Sequence, residues 1–90
     1  MSMTTLDHPT TVRTAVKVLF FGKVGDQLGR EREVPIPEAG CTVLDLRRLI
    51  DEAALAVRGV RASVNREIAP DGARVRPGDE VAFFSVFSGG

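Results

Sequence analysis

The sequence predicts an α+β domain of two layers, a small sheet packed on one main helix, and three observations predict it. Apolar runs of period two stand near both ends of the chain, at 15–21 and 80–84. One capped amphipathic helix begins between them at Thr42, and Gly- and Pro-bearing turns divide the remainder into short extended segments. Ninety residues allow one core, burying about 60% of the surface that the unfolded chain exposes. A hydrophobic fraction of 43% with 27% charged residues is that of a soluble globular chain, and no long apolar run or signal-peptide core interrupts it. A cytoplasmic protein with no membrane association is expected. Twelve basic residues against twelve acidic ones leave no broad cationic footprint for nucleic acid or anionic lipid. One cysteine, Cys41, and one histidine, His8, provide neither an internal disulfide nor a metal cluster, so no bound cofactor is expected.

Residues 1–14, without periodicity, read as a flexible leader, 15–84 as the domain and 85–90 as a flexible tail. In AVKVLFF, Val16, Val18 and Phe20 share one face of a strand and Lys17, Leu19 and Phe21 the other, so the strand is apolar on both sides. GKVGDQLGRE, with three glycines, reads as a connection to a second strand running through Val34 to Ile36. Pro35 and Pro37 lack ladder donors and place that strand at an edge. Thr42 and Asp45 form a capping box for the helix, whose apolar stripe is Leu46, Leu49, Ile50, Ala53 and Val57. Arg47 with Asp51 and Arg48 with Glu52 are i,i+4 pairs on its solvated side, and Arg58-Gly59 ends it. Val60–Val64 and Glu67–Ala69 read as a hairpin about Asn65-Arg66. Pro70-Asp71-Gly72 turns the chain, Arg74-Val75 extends it, and Pro77-Gly78 suits the centre of a type II turn. The last strand, Glu80–Phe84, places Val81 and Phe83 on one face and Ala82 and Phe84 on the other.

A single helix covers a single sheet face. Leu19, Phe21, Phe84 and Ile68 are therefore expected on an uncovered face, an apolar patch suited to a protein partner. The strand carrying Phe84 runs directly into Ser85-Val86-Phe87-Ser88-Gly89-Gly90. Without a Cβ, Gly89 and Gly90 can thread a channel too narrow for side chains, leaving the Gly90 carboxylate unhindered. By itself, a diglycine is also the composition of an ordinary fraying end.

The pieces Val16-Lys17-Val18-Leu19-Phe20-Phe21, Thr42-Val43-Leu44-Asp45-Leu46-Arg47, Val64-Asn65, Gly78-Asp79-Glu80-Val81-Ala82-Phe83-Phe84 and Ser88-Gly89-Gly90, in that order, resemble the small subunit of molybdopterin synthase. That family consists of ubiquitin-like β-grasp sulfur carriers, and the resemblance covers residues 16–90. It implies that the first and last strands are adjacent and parallel at the sheet centre. It also implies that Gly90 is adenylated by an E1-like enzyme using ATP and becomes a thiocarboxylate with sulfur from a persulfide donor protein. The tail, through Phe87, Ser88 and Gly89, would enter the large subunit of the synthase and pass sulfur to cyclic pyranopterin monophosphate, building the dithiolene of molybdopterin. Phe21, Ile68 and Phe84 match the family's partner contacts. The family's prolines before the terminal segment are replaced here by Ser85-Val86. A basic contact residue in the loop after the first strand is replaced by Gly25, with Lys23 and Arg30 nearby.

The same tail also serves carriers for thiamin or cysteine synthesis, and ubiquitin-like modifiers joined to lysines through a terminal glycine. Such a small subunit has no active site of its own, the acids, bases and metals belonging to its partners. Cys41 precedes a helix N-terminus, where a thiolate is favoured, yet the implied mechanism uses the terminal carboxylate and leaves this loop thiol idle.

Overall fold

The computed structural model describes residues 14–57 and 59–86. Residues 1–13 of the leader, Arg58 at the expected helix end and the terminal residues Phe87, Ser88, Gly89 and Gly90 lie outside them. In chain order the elements are β1 (Ala15–Phe21), α1 (Lys23–Leu28), β2 (Glu31–Pro35), β3 (Cys41–Thr42), α2 (Val43–Leu55), β4 (Val60–Val64), β5 (Glu67–Ala69), β6 (Arg74–Val75) and β7 (Glu80–Ser85). The main sheet runs β2-β1-β7-β4-β5, and β3 pairs with β6 in a separate two-stranded ladder. With α2 against one side of the mixed sheet, this is a ubiquitin-like β-grasp fold.

Both apolar runs take the centre because each has an apolar inner face. β1 and β7 are parallel, with Val18 beside Val81 and Phe20 beside Phe83. The rings of Phe20 and Phe83 stack with centroids 6.3 Å apart. Val16, Val18, Phe20, Ala62, Val81 and Phe83 meet Val43, Leu46 and Leu55 of α2 in the core. β2 is an edge strand as its prolines require, although it ends at Pro35, and the buried Ile36 donates its N–H to the Thr14 carbonyl at 2.8 Å.

The turn chemistry follows the sequence closely. Asn65 (φ 51°) and Arg66 (φ 75°) supply the left-handed pair of a type I′ hairpin. The Asn65 side chain donates to Asp79 Oδ1 at 3.1 Å and accepts from the Glu80 N–H at 3.0 Å, tying that hairpin to the turn before β7. In that turn Gly78 has φ 93° and the Asp79 N–H donates to the Arg76 carbonyl at 3.0 Å.

Four expectations are corrected. The connection after β1 contains a helix, α1, with Val24 buried. Gly25, inside it, permits close packing, since a Cβ there would lie 2.9 Å from the Phe20 carbonyl oxygen. Cys41 belongs to a strand, opposite Val75, and is buried. The buried face of α2 is Val43, Leu46 and Arg47 with half-buried Ile50, whereas Leu49, Ala53 and Val57 are exposed. A backbone break at Asp51 (φ −170°, ψ 92°) then resets the helical phase and brings Leu55 into the core. Asp51 accordingly accepts from the Ala54 N–H at 3.1 Å and makes no pair with Arg47. The expected Arg48–Glu52 pair is present at 3.6 Å on the exposed side.

Arg47 is the fourth correction. Its Nε donates to Asp71 Oδ1 at 2.9 Å, and its Nη1 donates to the carbonyls of Leu55 and, at 2.9 Å, Val60. The guanidinium lies 5.4 Å from the centroid of the Phe83 ring. It thus joins the end of α2, the start of β4 and the β5–β6 connection. A buried cation is tolerated there because each donor named has an acceptor.

Candidate functional site

The sheet face turned away from α2 is organised in rows by strand register. Phe21 of β1 stands beside Phe84 of β7, and Phe84 stands opposite Arg61 of β4. The next row is Glu31, Leu19, Ala82, Ser63 and Ile68, crossing all five strands. A third holds Glu33, Lys17 and Glu80. Period-two alternation explains the sorting on the central strands: Lys17, Leu19 and Phe21 alternate with buried Val18 and Phe20, Ala82 and Phe84 flank buried Phe83, and Arg61 and Ser63 flank buried Ala62.

The three residues assigned to partner binding therefore share this face, with different relations to one another. Phe21, 52% exposed, and half-buried Phe84 are adjacent. Ile68, 64% exposed, lies one row away on the edge strand β5, and Ser63 and Ala82 separate it from Leu19. The residue that extends the Phe21–Phe84 row is Arg61, which sequence reasoning left unassigned. Its signal was present, since buried Ala62 obliges Arg61 and Ser63 to face outward. Arg30 borders a groove with Leu19, Phe21 and Glu31, whereas exposed Lys23 opens α1 and lines a different cleft with Val57 and Ser85.

β1 and β7 are parallel, so both finish at the same end of the sheet, the end that carries the aromatic pair. β7 continues one residue beyond the predicted strand. Ser85 is in register with Val60, and the Val86 N–H donates to the Gly59 carbonyl at 2.8 Å. Two residues assigned to the tail are thus held by the sheet. Gly59, with φ 89°, supplies that acceptor from the turn into β4.

Two titratable groups among the described residues, Cys41 and Asp45, are displaced from their ordinary ranges. Burial, reinforced by the Asp45 carboxylate, holds the Cys41 thiol above its ordinary range, and Arg74 opposes this more weakly. The helix start beside it therefore does not produce a reactive thiolate. Asp45 lies below the ordinary carboxylate range because it accepts the Thr42 N–H and, secondarily, because of its bond with the Thr42 hydroxyl. The same two residues form the capping box of α2: the Thr42 N–H donates to Asp45 Oδ2 and the Asp45 N–H donates to Thr42 Oγ1, each at 3.1 Å. Among the described residues no group of His, Cys, Asp or Glu is arranged to hold a metal ion, and no helix is long and apolar enough to cross a membrane.

The ThiS family matches residues 18–90, a span that includes β1 from Val18 onward, all of β7 and the terminal diglycine. Among solved structures, SAMP1 from Haloferax volcanii is 25% identical, with a TM-score of 0.70 over 84% of this chain and 99% of that one. A structure of H. volcanii small archaeal modifier protein 1 is 22% identical, with a TM-score of 0.69 over 82% of this chain and 99% of that one. No curated protein matches the chain in sequence.

Proposed function

The chain belongs to the ThiS family of ubiquitin-like sulfur carriers and modifiers, and on that premise we propose that it is a sulfur carrier activated at Gly90. The observation that carries the reading is the parallel pairing of β1 with β7: it sets Phe21 beside Phe84 at the end of the sheet from which the family match continues to the diglycine. Residues 87–90, fully extended, span at most about 14 Å. A partner that receives Gly90 must accordingly approach the aromatic pair closely.

The chemistry explains why the domain needs no acids, bases or metal of its own. A Gly90 carboxylate oxygen attacks the α-phosphorus of ATP and expels pyrophosphate, giving an acyl-adenylate. A sulfur nucleophile then attacks the acyl carbon and AMP departs with the former carboxylate oxygen. If the nucleophile is a protein persulfide, the product is an acyl disulfide, and a second thiol cleaves it to the thiocarboxylate with formation of a disulfide. The adenylating enzyme and the sulfur donor supply the catalytic groups, while this chain supplies a narrow end and a docking face.

The recipient we propose is cyclic pyranopterin monophosphate in the large subunit of molybdopterin synthase, the sequence resemblance being the support for that choice. Likeness to a small archaeal modifier protein favours one other reading, in which a lysine amine captures the activated glycine. Reconstitution separates the two. Thiocarboxylated protein mixed with the large subunit and cyclic pyranopterin monophosphate should give the dithiolene product; lysine-linked Gly90 on other proteins, without dithiolene, would replace the carrier reading by the modifier one.

A further inference from the structure

The row that begins with Phe21 and Phe84 ends on a cation. Arg61 is exposed and borders two clefts, one shared with Val86, Arg48 and Glu52 and the other with Ile68 and Asp71. The acids of these clefts already have cations: Asp71 bonds Arg47 at 2.9 Å and Glu52 bonds Arg48 at 3.6 Å. Among the described residues Arg61 makes no ion pair. Across the same face, on the edge strand β2, Glu31 and Glu33 are exposed beside Leu19 and Lys17. Arg61 thus stands on one flank of the apolar centre and two carboxylates on the other, with Lys17 set between Glu33 and Glu80 in the third row, and this uneven pattern of charge favours one orientation of a docked surface over the reverse.

We infer that Arg61 is the specificity-determining cation of this face, set against a carboxylate of the adenylating enzyme at the rim of the opening that receives Gly90. The inference rests on the activation of Gly90 proposed above. The adenylating enzyme is the committed partner because sulfur carriage and lysine modification both require it, whatever the recipient. The position follows from the short reach of residues 87–90, about 14 Å at most, measured from Val86 in the cleft that Arg61 borders. The chemistry follows from desolvation. A guanidinium covered by an apolar or basic surface loses its water without compensation, whereas a carboxylate restores a charge-assisted bond.

The test is binding of the purified full chain to the adenylating enzyme of the same organism, titrated at low and high salt, with adenylate formation at Gly90 read by mass. Arg61→Glu should weaken binding at least about tenfold at low salt and raise KM more than it lowers kcat. Arg61→Leu should bind more weakly than the native chain and with a flatter salt dependence. Arg66→Glu, the same charge change at the hairpin on the far end of β4, should alter affinity by less than about twofold. Native affinity and salt dependence in both Arg61 variants overturns the assignment, as does equal weakening by Arg61→Glu and Arg66→Glu. Failure of the native chain both to bind and to be adenylated by an enzyme active on another carrier overturns the activation reading, and this inference with it.

Discussion

Phe21 and Phe84 are register partners on two parallel strands, and one residue back along the same strands Phe20 and Phe83 are partners too. The inner pair stacks in the core, while the outer pair lies on the face that α2 leaves uncovered. Phe84→Ala should therefore weaken complex formation with the activating enzyme at a cost to stability of about 1 kcal/mol. Phe83→Ala should cost about 3–5 kcal/mol. Denaturant unfolding and partner titration of both variants check the division, and unchanged affinity in Phe84→Ala would count against the docking face.

Arg47 holds three segments together through hydrogen bonds to Asp71, Leu55 and Val60. Arg47→Ala leaves buried carbonyls without donors and should destabilise by about 3 kcal/mol. Asp71→Asn, at an exposed carboxylate that can still accept a bond, should cost about 1 kcal/mol or less. Urea midpoints at constant m-value measure both.

Much of this architecture was legible in the residues, and the failures have definite causes. Alternation in AVKVLFF and EVAFF, the Thr42–Asp45 box, and the Asn65-Arg66 and Pro77-Gly78 turns are local signals, and each element lies where its signal stands. The parallel pairing of β1 with β7 is not local and came from the family resemblance. The stripe of α2 was displaced because a charged residue was assigned to solvent: Arg47 is buried by carbonyls 8 and 13 residues away and a carboxylate 24 residues away. Neither the break at Asp51 nor helix α1, bounded by glycines and carrying one inside, has a periodic signature. At the candidate site the apolar residues were readable from hydropathy. Arg61 was missed because a lone arginine acquires meaning only from its neighbours across the sheet.

Cys41 is buried opposite Val75, with its thiol held above the ordinary range chiefly by that burial. Cys41→Ser should leave sulfur loading at Gly90 intact while costing about 1 kcal/mol of stability. The native thiol should react with a disulfide reagent slowly until denaturant opens the fold. Loss of loading in a folded Cys41→Ser protein would give the thiol a part in transfer.

The capping box predicts a pH dependence. The folded-state pKa of Asp45 lies below its ordinary 3.8, first through the Thr42 N–H and then through the Thr42 hydroxyl. The stabilisation is present above pH 3.8 and is lost as pH falls through the lower folded-state value. The native chain should accordingly melt above Asp45→Ala at neutral pH, and the gap should close in acid. A gap that widens in acid would contradict the bonding assigned to this carboxylate.

The most direct measurement is the intact mass of the chain after incubation with its adenylating enzyme, ATP and a sulfur source. Replacement of one oxygen by sulfur, localised to Gly90 and absent when Gly89 and Gly90 are deleted, is the expected result. An unchanged mass, with the same enzyme preparation active on another carrier, would contradict the assignment of this chain as a sulfur carrier.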